Sequence, residues 1–357
     1  MSSVWGLFPR GTDFSLTGGN GFHCRPGCAL CCYASPAVAP EELEGLREAA
    51  PGLPMVRASP SGFRIPSRGN GGACAALREA RCRAYARRPS PCRTFPIHTH
   101  LGLRPQLSLV LSCPGLSLPG VLENATPPGS EDGEGGLMSE LVAVANALRA
   151  MPTQTLLRRT TRRLEALRAT LIRQGRWEER EPLQQALGSS PPLPGPADFP
   201  PRGLPGPDEP LENLPLFFEE GTGVLGLRQG ASTYQVLHFN EGGGEENRWE
   251  EFSIPHGPPA LDEGAQDRLH GYLRYLLRRD QLWFLAYRTL GQERGRSLGE
   301  VLRSLLRQAG AEVMIRAEVR ARWKGRVDPV LGASAVEEGI RAYDADWLDQ
   351  PTFGTAL

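Results

Sequence analysis

No apolar run in this 357-residue chain reaches the roughly 18 residues that a membrane-crossing helix needs. Met1 to Phe14 lacks a basic start followed by an apolar stretch, so a secretory signal is not expected. Excess charge of either sign is missing too, since 40 acidic residues face 40 basic ones. No overall field draws the chain to nucleic acid or to an anionic membrane, and neither is expected as a partner. Lysine is almost absent: Lys324 is the only one, and the other basic residues are arginines, which reads as a coding bias rather than a function. No Ser-His-Asp or paired-carboxylate arrangement can be identified from spacing. Cysteine is absent from residues 114–357. A secreted disulfide scaffold spreads its cysteines through a short chain, so a cytoplasmic protein is expected instead.

Where cysteine does occur it is crowded. All eight cysteines lie between Cys24 and Cys113, a pattern that favours thiolates held by metal over disulfides. The first group sits in FHCRPGCALCCY, with Cys24, Cys28 and Cys31 spaced C-x3-C-x2-C and Cys32 adjacent. Such short loops let sulfurs converge, as metal–sulfur bonds of about 2.3 Å demand. Cys31 and Cys32, being neighbours, are expected to point apart, so that one of them serves a second metal or another role. The second group is Cys74, Cys82 and Cys92, followed by Cys113 in LSCPG. These spacings fit no standard zinc-finger template, and only tertiary folding can bring them to the first group. All eight residues, Cys24, Cys28, Cys31, Cys32, Cys74, Cys82, Cys92 and Cys113, are candidate metal ligands. They suffice for two four-thiolate sites, or for one cluster plus a redox pair. His23, His98 and His100 read as neighbours of the site rather than ligands. Arg87, Arg88 and Arg93 lie among the thiolates and would offset their charge.

Composition divides the chain as follows. Residues 1–122 form the cysteine block, with a helix near Pro40 to Ala50 and a strand over Leu107 to Leu111. Pro40 suits the first turn, and Glu41, Glu42 and Glu44 suit its positive end. Little other regular structure is expected where metal replaces core. Residues 123–136 are a linker. Residues 137–188 are helical, over Leu137 to Met151 and again from Thr155 to about Arg176, where Leu164, Leu167 and Leu171 repeat at helical spacing. Residues 189–212 are a connector with nine prolines between Ser189 and Pro210. Residues 213–330 begin with LPLFF, VLGLRQ, TYQVLHF and WEEFSI, short β-like runs that form a small antiparallel meander. Two helices follow, one marked by Leu269, Tyr272, Leu273, Leu276 and Leu277, the other by Leu298, Val301, Leu302, Leu305 and Leu306. Residues 331–357 are a C-terminal tail, expected to be partly ordered. Gly221, Gly223 and Gly226 spell G-x-G-x-x-G, but a strand pattern follows them rather than a helix, so a hairpin turn is expected. Arg158, Arg159, Arg162 and Arg163 read as a solvated helix face. The fold class is α+β: an irregular cysteine-rich N-terminal domain packed on a mainly helical C-terminal region that carries the meander.

FHCRPGCALCC followed by CRAYARRPSPCRTFP resembles the cysteine-cluster family of zinc- or iron-chelating domains. Its pattern is an aromatic residue before C-x2/3-C-x2-C-C, then C-x2-Y-x2-RP-x2-CR-x-FP. Phe22, Cys24, Cys28, Cys31 and Cys32 supply the first part. Cys82, Tyr85, Arg88, Pro89, Cys92, Arg93, Phe95 and Pro96 supply the second, and the match covers about residues 20–115. The resemblance implies zinc or iron without choosing between them. Part of that family is similar to flagellin lysine N-methylases, and RLHGYLRYLLRRDQLWF loosely resembles their C-terminal helix. That further likeness implies a protein N-methyltransferase using S-adenosylmethionine on a protein substrate. C-x3-C-x2-C is also the spacing that binds a [4Fe–4S] cluster in radical-SAM enzymes. Leu30 stands where those enzymes normally have an aromatic residue and no βα run follows, which argues against their barrel. Two function classes follow: a cluster-dependent protein-modifying enzyme, or a non-catalytic metalloprotein acting as a structural zinc module, metal carrier or redox sensor.

Overall fold

The computed structural model describes residues 30–33, 36–59, 62–68, 73–79, 81–89, 91–92, 95–101, 105–116, 118, 122, 153–199, 216–219, 223–230, 233–239, 248–253, 258–293, 295–326 and 330–344. The linker over 123–136 and the segment Leu137 to Met151 lie outside the described residues, as do residues 200–215 of the connector and its flank.

The N-terminal block is built of short pieces. Strands β1 (Ala37–Val38), β2 (Val56–Ser59) and β3 (Gly62–Arg64) form an antiparallel sheet in the order β1-β3-β2. A 3-10 turn at Pro40–Glu42 leads into helix α1 (Leu43–Ala49). Its entry is fixed by Pro40 and by Glu42, whose carboxylate accepts from the Ala39 amide at 3.0 Å. Two further antiparallel pairs follow, β4 (Leu77–Arg78) with β5 (Arg81–Cys82) and β6 (Ile97–Leu101) with β7 (Pro105–Leu109). The block thus holds more strand than its sequence implies. Strands of two to five residues offer too few alternating positions for their period to show.

The larger part is helical, as expected. Helices α2 (Thr153–Arg173), α3 (Arg180–Ser189), α4 (Glu263–Arg278), α5 (Asp280–Gln292) and α6 (Leu298–Trp323) surround one core. Asp262 caps α4, accepting from the Ala265 amide at 2.7 Å. Ser297 and Glu300 form a reciprocal capping box at the start of α6. The repeating apolar residues of α4 and α6, from Leu269 through Leu277 and from Leu298 through Leu306, are buried, apart from the half-buried Leu305. Helix α6 runs through the middle and buries Val313, Ala317 and Val319 as well.

The meander is a four-stranded antiparallel sheet in the order β11-β10-β9-β8, with β8 at Leu216–Glu219, β9 at Gly223–Gln229, β10 at Thr233–Phe239 and β11 at Arg248–Ser253. Tyr234 and Val236 of β10 pack on Ile315 and Val319 of α6. Gly223 opens β9 opposite Glu219 and Gly226 lies inside β9, so these two glycines belong to a strand and not to a phosphate loop; Gly221 lies outside the described residues. Among the described residues of the Pro-rich connector there is a single 3-10 turn, Pro196–Asp198. Pro194 presses on α6 at Gly310, where a Cβ would stand 3.0 Å from its ring.

Two boundaries differ from the sequence reading. Ala333–Asp344, within the region set aside as a tail, is a helix, α7, lying along α6. Gly339 of α7 meets the Val313 carbonyl so closely that only a glycine fits. Leu109, Leu111, Leu116 and Leu118, assigned by composition to the cysteine block, are buried in the helical core.

A buried polar lock holds that segment. Asp344 of α7 accepts both from Arg279, at 2.7 and 2.9 Å, and from Tyr272 of α4 at 2.9 Å. It also accepts from the Leu111 amide at 2.6 Å. Tyr275 and Arg279 donate to the Leu109 carbonyl. Arg341 donates to the carbonyls of Leu111, Cys113 and Leu116. The exit of the cysteine block is thereby fixed to the helical body. No helix among the described residues is long and apolar enough to cross a membrane.

Candidate metal centre

Four local structures carry the described cysteines of the block. A 3-10 turn, Leu30–Tyr33, holds Cys31 and Cys32. The Cys32 carbonyl accepts from the Cys74 amide at 2.6 Å, and Cys74 also bridges Ser67. Cys74 begins the turn that leads into β4, since the Leu77 amide donates to the Cys74 carbonyl at 2.9 Å. The tight β4–β5 hairpin sets Cys82 opposite Leu77, with Glu79 in the left-handed region at φ 49°. The chain then turns again through Tyr85–Arg87 and Pro89, whose carbonyl accepts from the Cys92 amide at 2.9 Å.

These turns bring Cys31, Cys32, Cys74, Cys82 and Cys92 close enough that each is influenced by at least one other of the set. Cys74 is buried and the other four are half-buried; Cys74, Cys32 and Cys82 pack on a small core of Val38, Leu46, Ile65, Ala76 and Ala84. Among the described residues, no disulfide joins any of them.

The expectation that Cys31 and Cys32 point apart is not met: their side chains hydrogen-bond to each other. Both residues sit in the 3-10 turn Leu30–Tyr33. Cys32 donates its S–H, which pushes its own pKa far up. The bond it gives lowers Cys31 to about 7, against the opposing effect of burial and with further help from Arg88. Burial raises Cys74 and Cys82. It pushes Cys92 up to about 12, with the neighbouring Cys31, Cys74 and Cys82 adding to the effect.

Two features oppose this and favour thiolate. The Cys74 sulfur accepts a backbone hydrogen bond from Ala76, and the Cys82 sulfur accepts one from Ala84. In each case the donor stands two residues beyond the cysteine, in a turn that wraps the sulfur. Arg88 brings positive charge to Cys31, Cys82 and Cys92, and Arg68 brings it to Cys74.

Residues 23–109 match the CxxCxxCC family, described as a "putative zinc- or iron-chelating domain". This segment is similar to CxxCxxCC domains. No curated protein and no solved structure matches the chain, and the likeness to flagellin lysine N-methylases gains no support from these comparisons.

The donor chemistry of this segment is of the kind that suits a thiolate-bound cation. The wrapped sulfurs of Cys74 and Cys82 and the adjacent guanidinium suit anionic sulfur, and the raised thiols are neighbours that only a shared cation would let ionise together. Among the described residues, no group of three His, Cys, Asp or Glu side chains stands in a metal-ligating arrangement, so the five thiols are grouped without converging on a point. Cys24 and Cys28, with Phe22, His23 and Arg93, lie outside the described residues. His98 and His100 stand two apart on β6, paired with Ser108 and Gln106. Cys113 is placed elsewhere, in the helical core beside Leu109 and Leu111, and its carbonyl accepts from Arg341 at 2.5 Å.

Sequence reasoning placed arginines among the thiols but missed the two backbone N–H donors. The signal for them is weak: a small residue, Ala76 or Ala84, two positions after a cysteine.

Proposed function

We propose that the protein binds zinc or iron through its CxxCxxCC-like segment, as a resident centre that organises the N-terminal block. Cys31, Cys74, Cys82 and Cys92 would hold it together with Cys24 and Cys28. Cys32 supports Cys31 through its hydrogen bond, and Cys113 serves the core. The observation that carries this reading is the grouping of five thiols, two of them wrapped by backbone N–H groups that suit thiolate. A bound zinc would act by folding energy alone, whereas iron, alone or in a [4Fe–4S] cluster, would add redox chemistry.

Anaerobic purification of the full chain from iron-replete and zinc-replete cells, followed by metal analysis and a visible spectrum, tests the reading. Stoichiometric zinc with no colour marks a structural module, and coloured, iron-loaded protein marks an iron or cluster centre. The enzyme reading, a cytoplasmic S-adenosylmethionine-dependent methyltransferase acting on a protein substrate, rests on resemblance alone. It requires the coloured form and a reduced paramagnetic signal that shifts when S-adenosylmethionine is added. Protein purified without metal and able to take up neither ion overturns the proposal.

A further inference from the structure

The zero net charge of the chain hides a local imbalance. Residues 51–122 hold ten arginines against a single acid, Glu79. Arginines that only offset the thiolates would face the cysteines, but the β4–β5 hairpin turns two of them the other way. Neighbouring residues of a strand point to opposite faces. Leu77 and its partner Cys82 are buried and half-buried, whereas Arg78 and its partner Arg81 are exposed. The alternation continues past the hairpin: Arg81, Arg83 and Tyr85 are exposed, and between them Cys82 is half-buried and Ala84 buried.

Arg78 and Arg81 stand directly opposite each other, an arrangement in which like charges repel and weaken a sheet. Arg83 donates to the Pro51 carbonyl at 3.1 Å, which leaves its charge uncancelled. Arg87 is exposed and lies along α1, its Cδ 3.6 Å from where a Cβ on Gly45 would stand. The acids next to these contacts in the chain are Glu79, in the hairpin turn, and Glu44 and Glu48 of α1, all exposed. Among the described residues, none of them forms an ion pair with Arg78, Arg81, Arg83 or Arg87.

Tyr85 adds a ring. It is 58% exposed, and the Arg88 guanidinium covers one face, 4.0 Å from the centroid. An aromatic ring in solvent beside such cations is the composition of a surface for single-stranded nucleic acid, where charges track phosphates and rings stack on bases. An acidic polypeptide would answer the arginines, but its carboxylates offer no flat ring to Tyr85.

We propose that this face of the N-terminal block binds single-stranded nucleic acid: Arg78, Arg81, Arg83 and Arg87 take phosphates, and the Tyr85 ring, backed by Arg88, stacks on a base. The surface is independent of the metal-binding reading, since none of its side chains is a candidate ligand.

The test is fluorescence anisotropy of the full-length chain, as purified, against labelled single strands of about 12 nucleotides, one DNA and one RNA. Both present phosphates and bases, so either or both should bind, and the comparison tells which sugar the face accepts. Affinity should fall with salt at a log–log slope of about −0.7 for each phosphate contact. Arg78→Gln combined with Arg81→Gln should weaken binding and reduce that slope by about 1.4. Tyr85→Ala should bind roughly 5- to 150-fold more weakly with the slope unchanged, and Tyr85→Phe should bind like wild type. Binding of neither strand at low salt overturns the proposal. So does a pair of Gln substitutions that leaves the slope unchanged, or Tyr85→Ala with wild-type affinity. Poly-glutamate that displaces the probe as effectively as an unlabelled strand of equal charge also overturns it, marking a surface for acidic protein. Should Tyr85→Ala fail to fold, Tyr85→Leu, which keeps apolar bulk without a ring, decides by the same criteria.

Discussion

Replacing Asp344 with Asn tests the buried lock between the cysteine block and the helical body. The carboxylate accepts four hydrogen bonds, two from Arg279 and one each from Tyr272 and the Leu111 amide. The side chains of Arg279 and Asp344 are only 4% and 0% exposed. Burial alone would depress the Arg279 pKa, but the adjacent carboxylate more than reverses this and holds it above its ordinary value. Asparagine keeps the shape, removes the charge and turns one acceptor into a donor that faces other donors. Removing one partner of a buried pair costs about 3–5 kcal/mol, because the remaining charge is left uncompensated. At about 2–4 °C per kcal/mol for a unit of this size, the melting temperature should fall by roughly 10 °C. Urea and thermal denaturation of the metal-loaded chain would measure the loss. Hydrogen exchange at Leu111 should accelerate in step, since its amide donates to the lost oxygen. The double variant Asp344→Leu with Arg279→Met should recover much of the stability, as buried pairs often yield to apolar packing. A loss under about 1 kcal/mol, the range of an exposed ion pair, would refute the reading of a desolvated lock.

Gly339→Ala should destabilise the protein by about 1–3 kcal/mol, because the new Cβ meets the Val313 carbonyl and stands 3.0 Å from Ala317. Alanine elsewhere in a helix is more stable than glycine, so a melting temperature equal to or above wild type would contradict the close packing of α7 on α6. Stability should also fall at alkaline pH. Burial raises the pKa of Tyr272, Tyr275 and Tyr234 and lifts Tyr287 to about 12. Their contribution is complete below the unfolded value of about 10 and is lost as pH rises through the raised folded values; pH-independent denaturation midpoints between neutrality and strong alkali would exclude it. Chelator treatment followed by limited proteolysis should cut the block before Leu109 while α4 to α7 survive, and equal resistance with and without metal would count against a structural centre.

Much of the helical body is legible in the sequence because its signals are local and repeated. Leu269 to Leu277 and Leu298 to Leu306 recur at helical spacing, and their caps, Asp262 and Ser297 with Glu300, follow standard chemistry. The meander is legible for the same reason. Helix α7 is not, since Val336 and Ile340 are too few to fix a period and Gly339 reads as a breaker. The buried lock is invisible for a different reason: Asp344 and Leu111 are 233 residues apart, and an Asp in a tail looks solvated until the fold encloses it. At the centre, cysteine spacing is enough to group the thiols, but it does not tell Cys113 from the rest. LSCPG resembles a ligand loop, and only the burial of its leucines assigns it to the core. Nor does spacing show that Cys31 and Cys32 hydrogen-bond, which depends on the coil of one turn.

The N-terminal block has a core of its own that is small and built largely of small side chains: Val38, Leu46, Ala50, Leu53, Ile65, Ala76 and Ala84. A patch of that size supplies few of the contacts that offset chain entropy. Two other sources of order flank it. On one side, Arg279, Asp344 and Arg341 fix the Leu109–Leu116 segment to the helices. On the other, the thiol group gathers four separate turns at one place, where the Cys31–Cys32 bond, backbone donors and the small core hold it. A cation would turn mutually unfavourable ionisations into shared bonds, linking the turns where apolar contact is thinnest. The lock's hydrogen bonds act on a different segment, reaching Leu109, Leu111, Cys113 and Leu116. Loss of the ion should therefore loosen the block from its thiol end while the anchored end stays docked, and loss of Asp344 should do the reverse.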